Sequence, residues 1–211
     1  RYWMEDVLAN RFGVSAPPSA ETADTLYDEI STALATDAFR PLALLDTFDI
    51  EAIATTDAAS STLSFHQDLA SRGYGQRVLP TFRPDALVHL DRADWRDLLA
   101  ELAERSGVSI SSYADYITAL EQRRAYFKAN GARSSDHGHL TAASQPLTTA
   151  EASAIFDAAR TGEITPAQAD AFSAHMLHEM ARMATEDGLT MQVHVGVLRN
   201  HNPETLALRG P

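Results

Sequence analysis

Apolar positions spaced three and four apart alternate along the chain with short apolar runs, and the alternation predicts helices interleaved with strands. Trp3, Val7 and Leu8 share one face of a helix predicted over Tyr2 to Arg11. The segment from Ala16 through Pro17 and Pro18 to Ser19 breaks it. Leu26, Ile30 and Leu34 recur at steps of four in a helix predicted over 20–35, and Pro41 to Thr47 predicts a short third one. The first strand is predicted at Ala52 to Thr56, ending at Asp57, and Ser60 and Ser61 are candidate caps of a helix through Arg72, stopped at Gly73. A second strand, Arg77 to Phe82, runs into Arg83, Pro84 and Asp85, and Pro80 predicts an irregularity within it.

Asp91 or Asp94 opens a helix to Arg105 that stops at Gly107, and Ser112 with Asp115 forms a capping box for a long helix to Ala129. A short strand near Ala132 to Ser135 ends at Asp136, His137, Gly138 and His139. Thr148 with Glu151, and Thr165 with Gln168, are two more capping boxes, for helices to about Ala159 and Thr185. Thr190 to Val195 is the fourth strand.

Strands separated by helices imply a parallel sheet, because a parallel return needs a long crossover. Each strand ends in polar residues: Asp57, then Arg83 and Asp85, then Asp136 and His137, then His194 and Arg199. In barrels and open α/β sheets alike the site lies at that end. The expected fold class is α/β, part of a (β/α)8 TIM-like barrel with helical insertions. The expected organisation is a helical region over 1–50 and about four βα units over 51–211, continuing beyond both ends.

Composition narrows the partners. A net charge of −12 excludes nucleic acid and anionic membrane surfaces. Any anion site must therefore be a local cluster of arginines. The absence of cysteine removes disulfides and thiolate-held metals and fits the cytoplasm as expected location. No apolar run reaches the length of a membrane helix. The chain opens on Arg1 and closes on Pro211, which reads as an excerpt of something longer.

Four motifs then stand in order: Ile53 to Asp57 (IATTD), Val78 to Asp85 (VLPTFRPD), Ser135 to Gly138 (SDHG) and Met191 to Asn200 (MQVHVGVLRN). Together they resemble the central motifs of the uronate (glucuronate) isomerase family of the amidohydrolase superfamily. Two of the motifs depart from the family pattern: Ala58 and Ala59 follow Asp57 where an acid and a proline are usual, and His201 replaces an amide.

The resemblance implies interconversion of D-glucuronate with D-fructuronate and of D-galacturonate with D-tagaturonate. It implies His194, Arg199 and Asp57 at the reacting end, and Arg83, Arg199, His194 and Asp136 in contact with the sugar acid. It implies a divalent metal, zinc, in the full-length parent, with its main ligands outside this chain, so no metal ligand is assigned among these residues. A small-molecule sugar acid and a homo-oligomer are the expected partners. Two other readings stay open, an amidohydrolase-type metal hydrolase and a non-catalytic barrel scaffold.

Each site residue also has a bland reading: a satisfied strand histidine for His194, surface ion pairs for Arg83 and Arg199, a helix cap for Asp57, a turn pair for Asp136 and His137. His175 and His178 read as an ordinary helix face, and His66 and His89 have no evident partner in the sequence.

Overall fold

The computed structural model describes residues 2–196 and 200–210. The chain divides into two compact units, Arg1–Glu51 and Ala52–Pro211. The first unit is helical: α1 (Tyr2–Phe12), α2 (Ala23–Leu34), a 3-10 turn (Asp37–Phe39) and α3 (Pro41–Thr47). Leu8, Val14 and Leu26 form its small core, and Phe12 stacks on Phe39 at 5.0 Å.

The second unit carries the parallel sheet, with helices packed on it. Its first strands are short: β1 (Ile53–Ala54), β2 (Asp57–Ala58), β3 (Val78–Leu79) and β4 (Thr81–Arg83). β1 pairs with β3 and β2 with β4, at the same residue offset. The two predicted strands are thus one ladder interrupted at Pro80, which has no N–H to carry the pairing across. β5 (Ser134–His139) and β6 (Thr190–Val195) complete a four-stranded parallel sheet in the order β2-β4-β5-β6. β6 has the predicted bounds. β5 starts two residues later than predicted and extends through the polar run, so Asp136 to His139 lie in the strand and do not follow it.

The helices of this unit are α4 (Ser64–Ser71), α5 (Asp85–Val88), α6 (Trp95–Ser106), α7 (Tyr113–Ala129), α8 (Thr149–Thr161), α9 (Pro166–Asp187) and α10 (Pro203–Arg209). The three predicted capping boxes are formed, at Ser112/Asp115, Thr148/Glu151 and Thr165/Gln168. The Ser60–Ser61 cap is not formed. The N-cap of α4 is Leu63, in the left-handed region at φ 53°, its side chain anchored in the core. The main core lies where α6 to α9 pack on the sheet, around Phe82, Trp95, Tyr116, Phe127, Phe156 and Phe172.

Side chains alternate between the two faces of a strand, and paired residues share a face. Phe82 is fully buried and meets Phe127 of α7 edge-on at 5.2 Å, so its face is the helix side. Phe82 pairs with Ser135, which puts Ser135, His137 and His139 on that side. Arg83, Asp136, Gly138 and His194 fall on the opposite face.

Candidate active site

The site is built where β4, β5 and β6 end. Arg83 is the last residue of β4, and Asp85, two residues on, opens α5. Arg83 Nε donates to Asp85 Oδ2 at 2.7 Å, and its Nη1 lies 3.5 Å from Asp136 Oδ2. Asp136 Oδ1 in turn lies 2.9 Å from His194 Nε2. Asp85, Arg83, Asp136 and His194 thus form one connected string across three strands. The hydrogen bond that Arg83 donates to Asp85, outweighing the cost of burial, raises the guanidinium above its usual pKa and keeps it charged.

Gly138 is the floor of this string. A Cβ on it would lie 2.9 Å from Arg83 Nη2, 2.9 Å from His194 Cε1 and 3.0 Å from Asp85 Oδ2. The hydrogen side chain is what lets the arginine and the imidazole close over β5. Above it opens a cavity of about 430 Å³ lined by Arg83, Asp85, His89, Arg92, His139 and His194 among others. That volume is within the usual range for small-molecule sites, roughly 300–1,000 Å³.

Of the residues singled out from the sequence, Arg83, Asp136 and His194 are brought together. Asp57 is not among them. It pairs with Phe82 and so falls on the helix face, where its carboxylate accepts from Thr55 Oγ1 at 2.6 Å and lies 3.7 Å from His66 Nε2. The half-buried carboxylate thus sits with Thr55 and His66, apart from the Arg83 string. Arg199 lies outside the described residues. His89, His139 and Arg92 line the cavity without having been singled out for it. His89 and His139 approach at 5.7 Å between ring centres, a long-range contact that leaves no local mark in the sequence.

Of the histidines on the helix side, His137 and His175 are structural in character, while His139 also lines the cavity. His137 is fully buried, with Nε2 2.9 Å from Ser135 Oγ and no partner at Nδ1. Burial, aided by the Arg124 charge, pushes it down to about 3, so it is a neutral imidazole. His139 is also lowered by burial, and its Nδ1 meets Ser173 Oγ of α9 at 3.2 Å. His175 is not on an ordinary exposed face. It is buried, Nε2 is 2.7 Å from the Tyr113 hydroxyl, and Nδ1 accepts the Leu147 N–H at 3.1 Å.

Asp85, His137 and His139 each offer a ligand atom, and these lie within 4.8 Å of one another. A carboxylate with two neutral imidazoles is a donor set zinc accepts. The arrangement does not fit a cation, however. The Asp85 carboxylate is already held by the Arg83 guanidinium and by the Gly138 N–H at 3.1 and 3.2 Å, so a metal there would sit beside a fixed positive charge.

A parallel sheet, helices packed against it and a polar cluster at the carboxyl ends of its strands define a barrel-type α/β protein with its site at the strand ends. The particular family follows from comparison. A family model for glucuronate isomerase matches residues 1–211. The chain belongs to the glucuronate isomerase family. It is 46% identical over 201 residues to a uronate isomerase of Nostoc punctiforme, covering 95% of this chain and 42% of that one. It is 44% identical to a uronate isomerase of Sphingopyxis alaskensis, covering 100% of this chain and 46% of the relative.

The crystal structure of glucuronate isomerase from Caulobacter crescentus superposes with a TM-score of 0.90 at 42% identity, over 97% of this chain and 43% of that one. That of uronate isomerase from Thermotoga maritima gives 0.91 at 28% identity, over 100% and 46%. The chain spans less than half the length of these relatives, and its sheet is part of a barrel. Among the described residues no helix is long and apolar enough to cross a membrane.

Proposed function

We propose that this chain forms one wall of the active site of a uronate isomerase, acting on D-glucuronate and D-galacturonate in the full-length protein. The observation that carries the reading is the string from Arg83 through Asp136 to His194 at the mouth of the sheet. Moving the carbonyl from C1 to C2 takes the C2 proton to C1 through an enediolate, while the proton of the C2 hydroxyl passes to O1. That needs a proton carrier and a fixed donor for the developing oxyanion. With Nε2–H given to Asp136, His194 presents Nδ1 as the proton acceptor at the reacting end. Arg83 shares its charge between two carboxylates, and its Nη2 over Gly138 is left to bind a sugar oxygen. We assign the uronate carboxylate to Arg199, since a planar guanidinium fork matches it bidentately.

A divalent metal in the full-length protein remains part of this proposal, held by residues outside this chain, as do a homo-oligomeric assembly and a cytoplasmic location. The deciding experiment is an aldose–ketose isomerisation assay of the full-length protein on both uronates. Turnover of either, with KM raised about tenfold or more by Arg199→Met, supports the reading, since a charged hydrogen bond is worth roughly 1.5–3 kcal/mol. No turnover of either sugar acid would end it.

A further inference from the structure

We infer that Asp85 is a positioning residue, setting the direction in which Arg83 meets the sugar acid; this rests on the reading just proposed. The pairing of β4 with β5 places Thr81 against Ser134 and Phe82 against Ser135, and β4 stops at Arg83. β5 continues to His139, so the Gly138 N–H projects past the end of its neighbour. A half-buried backbone donor left without a ladder partner still needs one. The Asp85 carboxylate supplies it, accepting that N–H at 3.1 and 3.2 Å through its two oxygens. The same carboxylate takes Arg83 Nε at 2.7 Å. One side chain therefore ends the ladder and orients the guanidinium.

The base of this pin is rigid. Asp85 opens α5, whose Leu87 carbonyl accepts both Trp95 Nε1 at 2.8 Å and the Tyr116 hydroxyl at 3.1 Å. Both rings are buried in the main core. Asp85 is thus referenced to the core, while Arg83 alone, at the end of a three-residue strand, has several rotatable bonds to settle. Arg83 and Asp85 side chains are 28% and 16% exposed, well short of the full solvation that makes most ion pairs inconsequential. Asp85 lines the cavity, and its oxygens already accept from the Gly138 N–H and from Arg83 Nε.

The test uses the full-length protein with Asp85→Asn, and Asp85→Glu as a second variant that keeps the charge but lengthens the arm by one methylene. A crystal structure of either variant should show the Arg83 guanidinium moved away from Asp136, with β5 and β6 in place. KM for the uronate should rise about tenfold or more, with kcat changed less than about threefold. Asp85→Asn added to Arg83→Met should change KM less than about twofold, because the arginine it orients is gone. An unmoved guanidinium, or an equal KM cost with and without Arg83, overturns the inference. If the wild-type protein turns over neither uronate, the proposed activity fails while the crystal structures still decide the role of Asp85.

Discussion

His194 of β6 and Asp136 of β5 are joined diagonally, Nε2 to Oδ1 at 2.9 Å, although their backbone partners are Gly138 and Gln192. Diagonal neighbours on one sheet face are within reach of long side chains, and here the reach is open because Gly138 has no side chain. Asp136 also lies 3.5 Å from Arg83, so one carboxylate faces both. In the full-length protein, Asp136→Asn should lower kcat/KM by about ten- to a hundredfold, the loss expected for a charge-assisted hydrogen bond at a site. Steady-state kinetics with a circular-dichroism control measure it, and unchanged kinetics would detach Asp136 from the chemistry.

Gly138→Ala separates packing at the site from stability of the fold. The added methyl meets Arg83 Nη2 and His194 Cε1 at 2.9 Å, both side-chain atoms that can swing away, and backbone is not among its nearest contacts. The fold should survive with a melting temperature within a few degrees of wild type, while kcat/KM drops about tenfold or more. Equal activity in the variant would show that the close approach over Gly138 is not needed.

The strand ends were legible because alternation and polarity are local. β6 could be bounded from Thr190 to Val195 without any tertiary knowledge, and the three capping boxes require only residues three apart. β5 was harder. Ser135, Asp136, His137 and His139 are buried, and a buried strand made of polar residues has no apolar signature, since its partners are supplied by other segments. α5 is a single turn too short to show a period. The side of the sheet on which Asp57 lies has no local signal either: only its register with Phe82 reveals it. His66 and Thr55 approach to 2.8 Å, and Tyr113 and His175 to 2.7 Å, across separations no sequence pattern encodes.

His137 makes stability depend on pH in a definite direction. Its native value is held near 3 against about 6.5 in an unfolded chain, so between those values the unfolded state binds more protons. Its contribution is complete above pH about 6.5 and is lost as pH falls toward 3, at a slope of at most ~1.4 kcal/mol per pH unit. His139 and His175, also lowered by burial, act in the same sense. Urea midpoints measured from pH 7 to 5 should fall, and His137→Gln should flatten the decline. An unchanged slope in that variant would place the proton uptake elsewhere.

Arg124 and Asp187 tie α7 to the end of α9 through Nε–Oδ2 at 2.6 Å and Nη2–Oδ1 at 3.1 Å. The two partners are unequally buried, with side chains 1% and 22% exposed. Removing the acid strands a charge that water cannot reach, so Asp187→Ala should cost about 3 kcal/mol. Arg124→Met leaves a carboxylate that can hydrate and should cost less. Chemical denaturation of both variants measures the order, and a reversed order would mean that the methionine fails to fill the arginine's volume.

The alternation along β5 has a consequence for how this strand can drift over generations. From Ser134 to His139 each residue answers to a different constituency from its neighbour: Asp136 and Gly138 to Arg83 and His194, His137 and His139 to the helices. Replacements at His137 bear on the buried helix side, whereas His139, held by Ser173 of α9 and lining the cavity, answers to both sides. Replacements at the first pair can be compensated only by a change of what is bound. A saturation scan of these six positions should therefore read as two interleaved records, one of how the protein stays folded and one of what it recognises.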